Sequence, residues 1–473
     1  MKQIITTSLV LLLLCAYSLL TGCQHGDNAP RDTQAPGYVY LNDGQFCLNS
    51  KTWFPLMLNY KTDVKGNVVM PISYYGDGTF DSHFHQIANW GFNSLRICMD
   101  QSNANVDTTL FFPSVAKMLD AARKNNLRVM LLIKPPFNDA ERAYTQALLC
   151  RFAQDTILWA YDFMNEPLYF DPAEQRDKRD ATNIVARWRK MMCHYAPHQL
   201  FTIGQAEPIE AFEWDPALLP VDFVEMHTYH PLRVASEMYW YGHYAGKPWM
   251  VGETGLPTDN DSIPYTWQGI FMEETYRCAL VNGAIGYGWW EFQDCPMGNF
   301  EALYTGLRDA NGVEKPAVAT ISRLLSMPAP SPAVRPINYY NMLGYTNLMI
   351  TGTITDNHDQ PIPGAVIRGW NEDWSVGMNT YSDDHGHFTL VSNDSCTHFE
   401  ISAPGYSKVK FDHHLTYQPK PDTLPNRSLE YQQIDYRPFL HNDTSMLTFK
   451  EERFTLPHAT ADLGRITLNH TKP

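Results

Sequence analysis

Apolar runs of strand length alternate with stretches of helical period through the first two thirds of this chain. The alternation constrains the fold, because strands that are each followed by a helix pair in parallel and are covered by those helices. The runs are rich in Val, Ile, Leu and Met, as is typical of strands buried on both faces. Eight strands are predicted, namely Trp53–Asn59, Asn93–Cys98, Arg128–Ile133, Ile157–Met164, Leu200–Gly204, Phe223–His227, Trp249–Glu253 and Ala284–Trp290.

The stretches between these strands favour closure of the sheet. Helical patterns include Phe80–Trp90, Pro113–Asn125, Asp180–His194 and Tyr265–Asn282. The segment Tyr60–Thr79 after the first strand is predicted to be a long loop. Eight strand–helix units fit a closed (β/α)₈ barrel. An open, doubly wound sheet is the alternative, but no Gly-x-Gly-x-x-Gly follows an early strand. The predicted fold is therefore an α/β barrel over residues 38–327.

Alternating prolines at Met327-Pro328-Ala329-Pro330-Ser331-Pro332 mark a domain boundary, because such segments form extended spacers. Beyond a linker at 328–346, short strands alternate with turns and no helical period remains. This pattern predicts a small all-β sandwich over residues 347–473, with a polar, proline-rich excursion near 413–458. Its predicted strands are Leu348–Thr355, Ala365–Trp370, Gly386–Val391, His398–Ala403 and Gly464–Asn469.

The amino-terminal segment has the pattern of a secretory signal. An early lysine, a short apolar run and small residues precede Cys23, and the run is too short and broken for a membrane span. Leu20-Thr21-Gly22-Cys23 resembles the bacterial lipobox, which implies a signal peptide at 1–22 and lipidation of Cys23. The alternative is an ordinary signal peptide with a chance cysteine. Residues 23–37 are polar, with Gly and Pro, and predict a flexible tether.

Charge and composition exclude some functions. A net charge of −15 argues against nucleic acid as a partner, because phosphate binding needs clustered Lys and Arg. Twelve tryptophans fit sugar binding but equally fit a large core. The cysteines after Cys23 are scattered without a Cys-x-x-Cys pair, which argues against a zinc site. Most are predicted to be small buried residues, and one or two disulfides would suit an oxidising compartment.

Two of the predicted strands end in a glutamate that turn residues follow at once. Glu166 follows the fourth strand and Glu253 ends the seventh, so both carboxylates are expected at the carboxyl end of the barrel, where catalysis occurs in this fold. Glycosidic-bond cleavage needs such a pair, one to protonate the leaving oxygen and one to attack the sugar. Either glutamate alone could simply cap a helix, but the pair in these positions indicates a glycosidase.

Residues 38–325 resemble the retaining glycoside hydrolases of clan A, which include the family 5 cellulases and mannanases. The resemblance rests on motifs in the order of the strands. They are Arg96 near the end of strand two, Asn165-Glu166-Pro167 after strand four, His227-Thr228-Tyr229 after strand six, Gly252-Glu253 at strand seven and Trp289 or Trp290 at strand eight.

The resemblance implies a role for each matched residue. Glu166 would be the acid/base and Glu253 the nucleophile, held ionised by Arg96 and Tyr229. Asn165 would bind the sugar 2-hydroxyl, Trp290 would form the floor of the subsite, and His227 would line it. No cofactor or metal is implied. The expected reaction is retaining hydrolysis of a β-linked poly- or oligosaccharide, of β-mannan or β-glucan type.

Several alternatives remain at this stage. His227 could be a satisfied core histidine, and Arg96 could pair with Asp100. Trp289 and Trp290 point to opposite faces of a strand, so only one can line the site. Family 5 enzymes carry a histidine after strand three, where this chain has Lys134-Pro135-Pro136. A degenerate barrel that binds glycan without cleaving it is the alternative function.

Residues 347–412 resemble the carboxypeptidase-regulatory-like sandwich of Bacteroidetes-type proteins. Matching segments include Thr351-Gly352-Thr353, Pro363-Gly364-Ala365-Val366 and Pro404-Gly405-Tyr406. Together with the lipobox-like segment, this resemblance implies an outer-membrane lipoprotein that faces the periplasm or the cell surface. The expected partners are a carbohydrate substrate and, through the lipid anchor, a membrane.

Overall fold

A computed structural model describes residues 35–99, 106–229, 233–261, 263–297, 303–327, 348–374, 377–392, 395–419, 427–428, 450–451 and 459–471. The predicted signal peptide, Cys23, Asp100 and the linker at 328–346 lie outside the described residues, as do most of the tether and of the segment 413–458. The boundaries proposed for these segments stay predictions.

Parallel strands close into a barrel, which confirms the predicted fold class. Each strand pairs with the next along the chain, and the last pairs with the first through Tyr287–Leu56. The first barrel strand, β4 (Leu56–Lys65), also pairs with an antiparallel neighbour, β5 (Val68–Pro71). The eight barrel strands are β4 (Leu56–Lys65), β6 (Ser94–Cys98), β7 (Arg128–Leu132), β8 (Leu158–Asn165), β9 (Leu200–Gln205), β10 (Val224–His227), β11 (Trp249–Glu253) and β12 (Tyr287–Trp289).

Helices surround the barrel, and the longer ones bury one face against it. Thr79 begins the first helix with a capping box, in which its hydroxyl and that of Ser82 satisfy each other's backbone N–H groups. The helices are α1 (Phe80–Trp90), α2 (Thr108–Lys124), α3 (Asp139–Phe152), α4 (Pro167–Phe170), α5 (Lys178–Tyr195), α6 (Val234–Tyr244), α7 (Tyr265–Val281) and α8 (Val318–Leu324). Short 3₁₀ helices occupy Ser73–Tyr75 and Pro208–Phe212.

A small antiparallel sheet closes the amino-terminal end of the barrel. Its strands are β1 (Val39–Asn42), β2 (Gln45–Leu48) and β3 (Lys51–Thr52). Phe46 from this sheet packs on Trp159 and Phe223, which lie at or just before the starts of barrel strands. The described chain therefore enters the barrel at the end opposite Glu166 and Glu253.

The segment Tyr60–Thr79, predicted to be a long loop, is largely regular structure. β4 continues to Lys65 and turns at Gly66 into β5, so the prediction of a loop was wrong. The last pair of β4 with β6 is Lys61–Cys98, and the hairpin pairs begin one residue later and run from Thr62–Pro71 to Lys65–Val68. The hairpin therefore projects beyond the barrel. Polar residues and Gly66 made the segment resemble a loop, although a two-residue turn at Gly66 is also typical of a hairpin.

The carboxyl-terminal residues form two packed four-stranded sheets, as predicted. The strands of one sheet are, in spatial order, β16 (His387–Ser392), β13 (Leu348–Asp356), β22 (Ala459–Leu468) and β19 (Gln418–Pro419). Those of the other are β15 (Gly377–Tyr381), β14 (Val366–Trp370), β17 (His398–Ser402) and β18 (Val409–Asp412). A further short pair joins β20 (Arg427–Ser428) to β21 (Lys450–Glu451). The prediction missed β15 and β18 because edge strands carry polar residues and lose the alternating pattern.

The sandwich packs directly on the barrel through buried polar contacts. Lys178 at the start of α5 donates from Nζ to Asp215 Oδ2 at 2.9 Å and to the carbonyls of Ala403 and Tyr406 at 2.9 and 2.5 Å. Trp240 of α6 donates from its indole nitrogen to the Gly364 carbonyl at 2.8 Å. We call this set of contacts the seam.

Cys47, Cys98, Cys150, Cys278 and Cys295 are free thiols. No helix within the described residues is long and apolar enough to cross a membrane.

Candidate active site

The barrel brings Glu166 and Glu253 together at its carboxyl end. Glu253 is the last residue of β11, and Glu166 follows β8 in a left-handed conformation with φ 41° and ψ 73°. A non-glycine residue in that region is strained, and such residues cluster at functional sites. One oxygen of each glutamate and one nitrogen of His227 all lie within 4.8 Å of one another.

Glu253 is buried and held by two side chains that were predicted to contact it. Arg96 donates from Nη1 to Oε1, and the Tyr229 hydroxyl donates to Oε2. Burial alone would raise the pKa of Glu253, but the charges of His227 and Arg96 and these hydrogen bonds outweigh burial and lower it. Glu253 is therefore ionised at neutral pH, as a nucleophile must be.

Arg96 is shared by more carboxylates than the sequence indicated. Its Nη2 lies 2.7 Å from Asp162, its Nε lies 3.1 Å from Glu225, and all of these groups are fully buried. Burial would lower the pKa of Arg96, but Glu225, Asp162 and Glu253 raise it well above its ordinary value. We call Arg96, Asp162, Glu225, His227 and Glu253 the buried charge cluster.

Asp162, Glu225 and Asn59 belong to the site but were missed. Asn59 accepts from Arg96 Nη1 at 3.0 Å and donates to the carbonyls of Gly252 and Trp289, which ties four barrel strands together. The available signal was a charged or amide residue inside an otherwise apolar strand. Such residues are expensive to bury and so indicate a specific partner.

His227 is buried but is not an isolated core residue. Its Nδ1 lies 2.8 Å from Glu166 Oε1 and 3.7 Å from Glu253 Oε1. Burial disfavours the charged ring, but the charge of Glu253, the hydrogen bond to Glu166 and the carboxylate of Glu225 facing Nε2 raise the pKa of His227 to about 10. The imidazole therefore lies between the two glutamates, in surroundings that favour its protonated form.

Asn165 and Trp290 also reach the site. Asn165 accepts from Arg96 Nη2 at 2.8 Å through its Oδ1, which fixes the amide so that its NH₂ group is its remaining donor. Trp290 lines the cavity, whereas Trp289 is fully buried and donates to the Thr305 carbonyl. Lys61 lies 4.5 Å from the centre of the Trp290 ring and 3.2 Å from buried Glu291.

A cavity of about 730 Å³ opens over these residues. Its wall beside Glu166 is apolar and includes Phe137 and Phe170, the latter 62% exposed. Phe137 packs edge-on against Trp188 at 5.3 Å, so this part of the wall is fixed. Lys134, which occupies the place of the expected histidine, lines the rim and pairs with Glu141 at 3.2 Å.

Glu166, His227 and Glu253 form a set with the spacing of metal ligands. Their charges disfavour a cation there, because Arg96 already compensates Glu253 and the raised pKa of His227 favours its protonated form. A metal ligand must be deprotonated. The arrangement suits proton transfer and nucleophilic attack better than metal binding.

No protein-family model matches the chain, and no curated protein sequence matches it. Solved structures of glycoside hydrolases do. An exo-β-1,4-mannosidase from Opitutaceae bacterium strain TAV5 is 17% identical with a TM-score of 0.46, over 58% of this chain and 59% of that one. GH5_18 from Streptomyces cattleya in complex with GlcNAc is 17% identical with a TM-score of 0.48, over 65% and 86%.

A β-D-glucuronidase from Dictyoglomus thermophilum is 14% identical with a TM-score of 0.45, over 62% of this chain and 54% of that one. The match thus covers little more than half of the mannosidase and of the glucuronidase. At these identities the similarity extends to the fold alone.

Proposed function

We propose that this chain is a retaining β-glycosidase that acts by double displacement. The observation that carries the proposal is the separation of less than 4.8 Å between an oxygen of Glu166 and one of Glu253. Retaining enzymes hold their carboxyls about 5–5.5 Å apart, whereas inverting enzymes need roughly 6.5–9.5 Å to admit a water. The short separation supports attack by a carboxylate.

In this proposal Glu253 attacks the anomeric carbon while Glu166 protonates the leaving oxygen. The covalent glycosyl–enzyme then reacts with a water that Glu166 deprotonates, which restores both side chains. The lowered pKa of Glu253 supports its role, because only the carboxylate can attack. The NH₂ group of Asn165 would donate to the sugar 2-hydroxyl, and Trp290 would form the floor beneath the ring.

We further propose that the substrate is a β-linked poly- or oligosaccharide of β-mannan or β-glucan type. Support comes from the exposed ring of Phe170, four residues after Glu166, on the side where the acid must meet the leaving group. An aromatic ring offers a sugar a flat apolar surface. Incubation with β-mannan, β-glucan, xylan and galactan, followed by reducing-end assay, tests this. Binding without new reducing ends would instead indicate a glycan-binding protein.

The mechanism has its own test in a Glu253→Gly variant. This variant should be inactive, and azide should restore cleavage by occupying the space of the lost carboxylate. The azide product should have the inverted anomeric configuration, detected by NMR. A rescued Glu166→Gly variant should give the opposite anomer, which makes it the matched control. A Glu253→Gly variant with full activity and no azide would overturn the nucleophile assignment.

We also propose that lipidation at Cys23 holds the enzyme on the outer membrane. The lipobox-like Leu20-Thr21-Gly22-Cys23 supports this. Several acyl chains anchor firmly, whereas a single chain holds only marginally. A Cys23→Ala variant should leave the membrane fraction and keep the turnover of the anchored form. Persistent membrane association of that variant would contradict the proposal.

A further inference from the structure

Glu225 is a buried carboxylate that the proposed reaction does not use. It is fully buried on β10, and among the described residues neither of its oxygens has a hydrogen-bond partner. Its Oε1 lies 3.1 Å from Arg96 Nε and 3.7 Å from His227 Nε2. His227 Nε2 has no hydrogen-bond partner in the described chain either. Glu225 and the imidazole therefore face each other across an ion-pair distance.

Two glycines make room for this pair. A Cβ on Gly252 would lie 2.1 Å from Glu225 Oε1, and a Cβ on Gly204 would lie 2.8 Å from the His227 ring. Neither glycine has a positive φ, so the requirement is space and not backbone conformation. The residue before the nucleophile is thus glycine because Glu225 occupies the place of its side chain.

The geometry fixes where protons can lie on His227. A carboxylate facing Nε2 favours a proton on that nitrogen, because a bare nitrogen lone pair would repel it. With Nε2 protonated, the second ring nitrogen, Nδ1, shares one further proton with Glu166 Oε1 at 2.8 Å. That proton can lie on either atom without changing the total held by the pair.

We propose that Glu225 is a positioning residue that holds the proton on His227 Nε2, so that His227 and Glu166 share the proton that the leaving group receives. The pair loses this proton when the glycosidic oxygen is protonated. The attacking water returns a proton when the glycosyl–enzyme is hydrolysed, so the number of protons on the pair is restored after each turnover. The activity readout rests on the proposed glycosidase function, but the state of the imidazole can be measured without it.

His227 faces charged groups from every element packed against it. They are Glu166 and Asp162 from β8 and its end, Glu253 from β11, Arg96 from β6, Glu210 from the 3₁₀ helix after β9 and Glu225 on β10 itself. Glu225 is the one whose carboxylate faces Nε2 at 3.7 Å without also contacting the cavity.

The test is a Glu225→Gln variant, which keeps the shape and removes the charge. The shared proton should be held less tightly, so the alkaline limb of the pH–activity profile should move down by about one pH unit or more. The ¹⁵N shifts of His227 should show the imidazole losing its Nδ1 proton at a correspondingly lower pH. A Glu225→Asp variant, which keeps the charge, should hold the limb near its wild-type position even if turnover falls.

Glu237→Gln is the matched control, because Glu237 is also buried but contacts Thr228 in place of His227. It should leave the alkaline limb unchanged. A folded Glu225→Gln variant with an unmoved limb and unchanged ¹⁵N shifts would overturn the proposal. If that variant does not fold, the ¹⁵N shifts of wild-type His227 test the proposal, because an unprotonated Nε2 at neutral pH would also overturn it. Absent activity with the predicted ¹⁵N shifts would count against the glycosidase function alone.

Discussion

Two buried cations in this molecule are held in contrasting ways. Lys178 at the seam has one carboxylate and two carbonyl oxygens as partners, so its charge and its donors are satisfied. Arg96 in the buried charge cluster faces three carboxylates, one of which has no hydrogen bond within the described chain. The first arrangement joins the barrel and the sandwich, whereas the second has more carboxylates than cations to pair with them.

The difference indicates what each buried charge does. A buried ion whose partners balance its charge holds the elements around it in place and takes little part in chemistry. Removing one partner is costly, because the other charge stays buried. In a cluster with more carboxylates than cations, the pKa of a carboxylate can instead rise toward neutral pH. Burial and the neighbouring Glu225 raise the pKa of Asp162 to about 7, despite the opposing charge of Arg96. Changes in the cluster should therefore alter catalysis, and changes at the seam should alter stability.

The largest effect is expected from Glu253→Gln. Turnover should fall by roughly 10³-fold or more, because an amide cannot form the glycosyl–enzyme. Steady-state kinetics on a polysaccharide that the wild-type protein cleaves measures the loss. Asp215→Asn, the corresponding carboxylate of the seam, should keep turnover near wild type. Equal losses in the two variants would erase the distinction between the regions.

Lys178→Met should lower the stability of the protein and leave its turnover unchanged, which is the reverse of the effect expected for Glu253→Gln. It leaves Asp215 buried without its cation, at a cost of about 3 kcal/mol in the free energy of unfolding. Urea denaturation should show this loss while kcat and KM stay close to wild type. Lys190→Met on the same helix is the control, because Lys190 is exposed and should change stability little. A stable Lys178→Met variant would mean that the seam contributes little.

Tyr229→Phe should change the pH dependence more than the maximal rate. Glu253 must be ionised to attack, so activity is lost as pH falls through its lowered pKa. Without the Tyr229 hydrogen bond that pKa rises, and the acid limb should move up by roughly one pH unit or less. The pH profile of kcat/KM measures the shift. Tyr239→Phe on α6 serves as control. An equal shift of the acid limb in both variants would contradict the assignment.

The smallest effect is expected from Phe170→Ala. Phe170 is exposed beside Glu166 and outside the buried charge cluster, so only binding of the leaving group should suffer. KM for an oligosaccharide should rise several-fold, in line with a loss of about 1 kcal/mol for one stacking ring. An activated aryl monosaccharide should show less change. Tyr169→Ala, whose ring is exposed next to it, tests whether any exposed ring matters equally.

Much of the fold could be predicted because the barrel strands are continuous apolar runs. β11 has the predicted bounds, and α1 agrees with its predicted range as well. The limits of β4 could not be predicted, since its outer half leaves the barrel and becomes polar. The two glutamates could be placed because a strand end is visible in sequence. Asp162 and Glu225 could not be placed, because their significance depends on which strands lie opposite them.

The sheet β1–β3 has a consequence for orientation. It closes the barrel end opposite the cavity, so residue 35 lies on the far side of the molecule from Glu166 and Glu253. If Cys23 is lipidated as proposed, the anchor would join the chain on the closed side of the barrel, and the cavity would open on the opposite side. A long polymer could then reach the cleft from the surrounding medium without passing between the enzyme and the surface that carries it.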